Sequence, residues 1–199
     1  MGKIMATDVT KDWQRLRAWI KGNAPEWDVA TLPPGATEHQ LLEIEHNLGL
    51  RLPEDFREFY RLHDGTGSFA MPQQGPLLSL REMMTARREH IRWENDPNYH
   101  VEGEVPGIKP VWYSRKRLLL SPELPQLMLD LDPSPEGHYG QLILLDKHEG
   151  PYKIVASGIG ALIKSLADAA ESGGLDKELA EYRENAAGFS SCRGIDSPI

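Results

Sequence analysis

Cysteine is nearly absent: Cys192 stands alone in a Ser- and Gly-containing C-terminal stretch. One thiol can form neither an intramolecular disulfide nor a thiolate metal cluster, so folding must rest on other interactions. A single cysteine also suits a reducing compartment. Long apolar runs are missing too. Nowhere do about 18 apolar residues follow one another, which argues against a helical membrane span. The opening residues MGKIMATDVTKDW hold no apolar stretch of signal-peptide length, and Ala6 occupies the place where a myristoylation pattern needs Ser or Thr. The expectation is a soluble, cytoplasmic protein with no membrane association.

Positive charge is the next shortage. Against 30 Asp and Glu stand 22 Lys and Arg, a formal net charge of −8. Such a chain repels phosphate backbones unless its basic residues cluster, so the sequence predicts no nucleic-acid partner. The densest basic groups are Arg87/Arg88/Arg92 and Arg115/Lys116/Arg117. Glu89 and Glu94 interleave the first, which reads as a solvated helix face. The acidic balance suits a basic protein partner, because opposite fields speed and orient association.

Catalytic patterns are also lacking. There is no GxGxxG and no P-loop lysine motif. Ser157-Gly158-Ile159-Gly160 has Val155 where a nucleophile elbow needs glycine. His148-Glu149-Gly150-Pro151 lacks the second histidine of a zinc helix, and His39 and His46 lie seven residues apart. His63 and His138 have no paired ligand either. His63, near a helix end, is better read as a dipole partner or core edge. Asp130 and Asp132 alternate, so on a strand both carboxylates would share a face and could meet Mg²⁺ or Ca²⁺ together with Asp146, Glu136 or His138. Asp132-Pro133-Ser134-Pro135-Glu136-Gly137 reads more simply as a turn. The expectation is no enzyme, no catalytic residue, no cofactor and no metal. A metal-dependent hydrolase or transferase using Asp130/Asp132 is the enzymatic alternative.

What the chain does have is turns: 15 Pro and 18 Gly punctuate 199 residues of ordinary globular composition, enough for one domain with a sizeable core. Trp13, Leu16 and Ile20 recur at helical spacing from Val9 to Lys21, and Pro25 follows. Thr37 with Gln40 and Ser79 with Glu82 are capping boxes, opening helices that carry Leu41/Ile44/Leu48 and Met83/Ala86/His90. Gly49 supplies a helix stop, and Pro53 is placed in the first turn of a helix bearing Phe56, Phe59 and Tyr60. One short strand is expected around Phe69, and residues 94–107 read as a surface loop. Beyond Lys109 the period changes. Val111–Tyr113, Arg117–Leu120, Leu127–Leu131, Gln141–Leu145 and Lys153–Ala156 read as four or five strands of an antiparallel meander. Ile159, Leu162, Ile163, Leu166 and Ala170 then form a helical stripe, with a polar helix from Asp176 to about Ala187. The expected fold is α+β, with a mainly antiparallel sheet of four to six strands flanked by N- and C-terminal helices. The domain is placed at 8–172 and a polar helix with a tail at 173–199.

In order, these residues resemble the SUKH superfamily, which takes part of its name from a yeast cell-wall-synthesis regulator. The resemblance rests on Pro34-Gly35-Ala36-Thr37, Glu45-His46-Asn47-Leu48-Gly49, Leu52-Pro53-Glu54-Asp55-Phe56 and Tyr60 with Leu62-His63-Asp64-Gly65. Leu77–Glu82, Trp112, Leu129–Pro133, Gly137 and Gly140–Ile143 complete it, covering roughly 10–170. It implies binding rather than catalysis. Bacterial members resemble immunity proteins that neutralise a cognate nuclease or deaminase toxin, and fungal members resemble regulatory scaffolds. The leading expectation is an immunity-type protein that binds a basic toxin domain, with the regulatory scaffold as the alternative, acting as a monomer or weak dimer. Candidate contact residues are Trp27, Trp93, Glu94, Asp96, Glu102, Glu104 and Trp112, chosen because tryptophan anchors interfaces and the acidic loop could meet a basic surface.

Overall fold

The computed structural model describes residues 8–27, 32–94, 96, 98, 101 and 104–181. Glu102, Cys192 and the continuation of the last predicted helix to Ala187 lie outside them. Helix α1 spans Val9–Asn23; Asp8 caps it, its carboxylate accepting the Lys11 N–H at 2.9 Å. The predicted stripe is buried: Val9, Trp13, Leu16 and Ile20 all face the core. Both capping boxes form. Thr37 and Gln40 open α2 (Glu38–Leu48), and Ser79 and Glu82 open α4 (Leu80–His90). Gly49 ends α2 at φ 64°, a left-handed conformation that disfavours residues with a Cβ. Helix α3 runs Glu54–Leu62, with Pro53 as its N-cap rather than inside its first turn. After the sheet, α5 covers Ile159–Glu171, and 176–181 is helical again. That last segment is polar on one side only, since Leu175 and Leu179 enter the main core.

Strands β1 (Ala70–Met71) and β2 (Gly75–Pro76) make a small hairpin just after Phe69. The main sheet is the antiparallel meander β3 (Arg117–Ser121), β4 (Gln126–Asp130), β5 (Gln141–Asp146) and β6 (Gly150–Ala156), paired in chain order. Alternation on a strand sends neighbours to opposite faces, and here both faces are covered. Leu118, Leu120, Leu127, Leu129 and Leu142 join the helices in the larger core, where Trp13 meets Phe59 edge-on at 5.4 Å. Leu119, Met128, Ile143 and Leu145 face the other way, against Ile108 and Trp112. Two covered faces explain why these strands read as unbroken apolar runs.

One predicted strand does not exist. Val111–Tyr113 has no ladder partner. The segment 105–113 instead lies over the second face of the sheet as an irregular cover, with Ile108 and Trp112 packed into the smaller core. Among the described residues no helix is long and apolar enough to cross a membrane.

Candidate functional site

The cover over the second face is held by charge. Arg117, Asp130 and Gln141 are register partners on three adjacent strands, and all three are buried. The Arg117 guanidinium donates to the Val111 carbonyl at 2.5 Å and the Lys109 carbonyl at 2.9 Å, and reaches Asp130 at 3.4 Å. The Gln141 amide donates to the Gly107 carbonyl at 2.8 Å and to Asp130 at 3.2 Å. Burial pulls the Arg117 pKa below its ordinary value despite Asp130. Such a triad ties the carbonyls of an irregular segment to the sheet, and the Val111 carbonyl has its donor from Arg117.

That geometry engages both carboxylates of the metal alternative, Asp130 and Asp132. Asp130 is taken by Arg117 and Gln141, while Asp132 meets Lys109 at 2.8 Å and Lys116 at 3.6 Å. The Lys109 ammonium, above all, holds the Asp132 carboxyl below the usual range. A cation would have to displace these partners, and among the described residues no group of three His, Cys, Asp or Glu is placed to hold one. His63 is a core-edge residue: its Nδ1 lies 2.9 Å from the Pro33 carbonyl, its ring meets Trp13, and burial lowers its pKa.

The six candidate contact residues that are described do not lie together on one surface. Trp27 tilts against Trp19 at 6.2 Å beside the larger core. Trp112 is only 7% exposed in the smaller core on the opposite face of the sheet. Trp93, at the end of the 3₁₀ turn that continues α4, is 42% exposed. Glu94 accepts the Arg115 Nε–H at 2.6 Å and its backbone N–H at 3.0 Å, so its charge is already matched within the chain. Asp96 accepts two hydrogen bonds from Asn98 at 2.9 Å, and Glu104 is exposed.

The site that the sequence reading missed is a groove of about 540 Å³ between α2 and α4. Helix α3 sets its width. Arg57, buried at the base of α3, bonds Glu45 of α2 at 2.7 Å and also Glu38. On the other side, Tyr60 donates its hydroxyl to the Leu78 carbonyl at 2.9 Å, and Asp64 accepts the Leu80 N–H at 2.8 Å, fixing where α4 begins. Ile44, Leu80 and Met84 give the groove an apolar lining; Glu43 and Asn47 form one wall, and Arg81, Arg87 and Arg88 the other. Arg81, Met84 and Arg88 sit at i, i+3 and i+7 on one face of α4. The spacing was visible, but it is the same spacing that a solvated face shows.

Most residues carrying the family resemblance build the frame, while Asn47, Leu80 and Arg81 also line the groove. A Cβ on Gly35 would collide with the Arg61 carbonyl, where Ala36 N–H bonds the Tyr60 carbonyl at 2.7 Å. Asp55 reaches across to accept the Gly160 N–H at 3.0 Å at the start of α5, and a Cβ on Gly158 would strike the same carboxylate. The acid of the Leu-Pro-Glu-Asp-Phe block is therefore a bridge between α3 and α5. A Cβ on Gly140 would strike Pro53 of that block.

Comparison with known proteins agrees with this frame. The chain is similar to a glucan synthesis regulatory protein of Neurospora crassa, 24% identical over 83% of this chain and 39% of that protein. It is 24% identical to a cell wall biosynthesis/cell cycle regulator, smi1, of Schizosaccharomyces pombe, over 83% of this chain and 36% of the relative. A shorter match, 35% identical over 29% of this chain and 12% of the relative, is to F-box only protein 3 of Homo sapiens. The chain thus spans well under half the length of these relatives. The SMI1 / KNR4 family (SUKH-1) pattern matches residues 35–165, from the Gly35 contact to α5, and the chain belongs to that family.

Proposed function

We propose that this chain is a non-enzymatic regulatory module that docks a protein partner in the groove between α2 and α4. The observation that carries the reading is the groove itself. Two helices with fully formed capping boxes face each other, with Ile44, Leu80 and Met84 lining the gap between them. Helix pairs in a packed domain normally close such a gap. A groove of this size with an apolar lining and polar walls is the usual setting for an inserted ligand or side chain. The two full-domain relatives named above are both described as regulators, one of glucan synthesis and one of cell-wall biosynthesis and the cell cycle. Only the class, regulator, is carried over, because the chain spans 39% and 36% of them.

The test is site-directed photo-crosslinking in the native organism, with the photoreactive residue at Asn47 in the groove wall or at Tyr152 on the edge strand β6. The reading expects a discrete adduct from Asn47 and none from Tyr152; no adduct from Asn47 would refute it. A second reading, capture of a basic toxin domain in an immunity role, draws on the net charge of −8. It expects the adduct from Glu104 in the acidic segment instead, with a cationic partner.

A further inference from the structure

Three arginines without a carboxylate partner among the described residues share one wall of the groove. In a chain with more carboxylates than cations, an arginine has counter-ions to choose from, and most of those described have one. Arg15 meets Asp168 at 2.7 Å, Arg57 meets Glu45 at 2.7 Å, and Arg61 meets Glu54 at 2.8 Å. Arg92 meets Glu89 at 2.9 Å, Arg115 meets Glu94 at 2.6 Å, and Arg117 meets Asp130 at 3.4 Å. The three arginines of the groove wall have none, and neither do Arg17 and Arg51 among the described residues, but Arg81, Arg87 and Arg88 stand together on one wall. Among the described residues no carboxylate lies within ion-pair distance of Arg81, Arg87 or Arg88. Arg87 donates its Nε–H to the Arg115 carbonyl at 2.8 Å, and Arg88 donates its own to the Met84 carbonyl at 3.2 Å. Their terminal amines have no protein acceptor among the described residues. Arg87 is half-buried; burial first, and the neighbouring Arg115 second, lower its pKa, against a smaller opposing pull from Glu94 beyond ion-pair distance. Glu43 is the one carboxylate in the lining.

From this we infer that the groove binds an acidic segment of a protein partner, one in which Asp or Glu side chains flank an apolar anchor. The inference rests on the docking role proposed above and adds the chemistry of the occupant. A guanidinium presents a planar fork that matches a carboxylate with two parallel hydrogen bonds, which compact ammonium groups cannot do. Three such forks along α4 would fix the acidic residues. Met84, unbranched and adaptable, with Ile44 and Leu80, would receive the anchor between them. An occupant of this kind brings negative charge to the arginine wall and an apolar group to the space beside Ile44, Leu80 and Met84. The molecule's overall negative charge would slow the approach of an acidic partner, so recognition must come from this local patch.

The experiment is selection from a random peptide library displayed on phage, using the full chain and three variants. The variants are Arg81→Glu/Arg88→Glu, the neutral Arg81→Gln/Arg88→Gln, and Asn47→Trp, which fills the groove without touching the arginines. The native chain should enrich peptides with acidic residues around one apolar position. Synthetic versions should lose roughly tenfold or more in affinity for each variant, as expected when charge-assisted hydrogen bonds go unmade. If the charge reversal unfolds the chain, the glutamine and tryptophan variants still decide the matter. Enrichment of basic or uncharged peptides, binding that ignores all three variants, or no enrichment would overturn the inference. An Asn47 crosslink to a partner whose crosslinked segment is not acidic would leave the docking role standing and remove only its chemistry. No crosslink at Asn47 would remove the docking role itself.

Discussion

The helical frame and the cover over the second face of the sheet are both well packed, yet they are held by opposite means. In the frame, from Pro34 to His90, each boundary is set by a nearby residue. Thr37 and Gln40 start α2, Gly49 stops it, Asp64 and Ser79 start α4, and the apolar stripe between them supplies the burial. In the cover, from Val105 to Tyr113, local turns pair the Val105 and Lys109 carbonyls, but the segment is tied to the sheet from a distance. The Gly107, Lys109 and Val111 carbonyls accept from Arg117 and Gln141, which come from strands elsewhere in the chain. Frames of the first kind tolerate the loss of any one cap, whereas a cover hung on one buried guanidinium concentrates its stability in that residue.

The largest expected effect tests that concentration. Arg117→Leu leaves Asp130 as a buried carboxylate without its cation and strips the Val111 carbonyl of its donor, and should cost about 3–5 kcal/mol in urea unfolding. Removing both charges, Arg117→Leu/Asp130→Leu, should recover most of that loss. A single variant costing under about 1 kcal/mol would mean that the cover hangs on something else. In the frame, Asp55→Ala removes the bridge to the Gly160 N–H and should cost about 1–2 kcal/mol, the range for an unsatisfied buried donor. A loss as large as that of Arg117→Leu would erase the contrast between the two regions.

Acid sharpens it further. His90, packed on Tyr113 of the cover at 4.8 Å, and His63 in the frame both have pKa values lowered by burial. The folded chain therefore resists taking up a proton that the unfolded chain accepts near pH 6.5. Stability is complete above that value and declines as pH falls from about 7 towards the lowered folded-state pKa values. Thermal melts of His90→Phe should show a shallower decline than the native chain, and an unchanged slope would assign the effect to His63. The smallest effect is expected in the groove. Arg81→Glu/Arg88→Glu breaks no ion pair among the described residues and should change stability by no more than about 0.5 kcal/mol.

The frame was legible in the sequence because capping boxes, helical stripes and glycine stops are written within a few residues of where they act. Pro53 was misplaced by one position only, a difference between first turn and cap. The strand predicted at Val111–Tyr113 failed for the opposite reason. Val, Trp and Tyr together imitate a strand, and nothing nearby reveals that the carbonyls of Lys109 and Val111 belong to Arg117. The polar residues at the ends of β3, β4 and β5 held the clue, since pairing Arg117 with Asp130 and Asp130 with Gln141 lines up one polar row. That register is a long-range property. The burial of Trp112 was likewise not legible, because its partners on the sheet are distant in sequence. The groove stayed hidden because Arg81, Arg87 and Arg88 look like any solvated face until their lack of carboxylates is seen in three dimensions.

Backbone hydrogen exchange of the full chain, alone and with the partner captured from Asn47, tests the central claim most directly. The account predicts added protection in residues 40–47 and 80–88, the two walls of the groove, with little change along β6. Protection confined to the cover and its acidic flank around Glu104, with 40–47 and 80–88 unaltered, would contradict it.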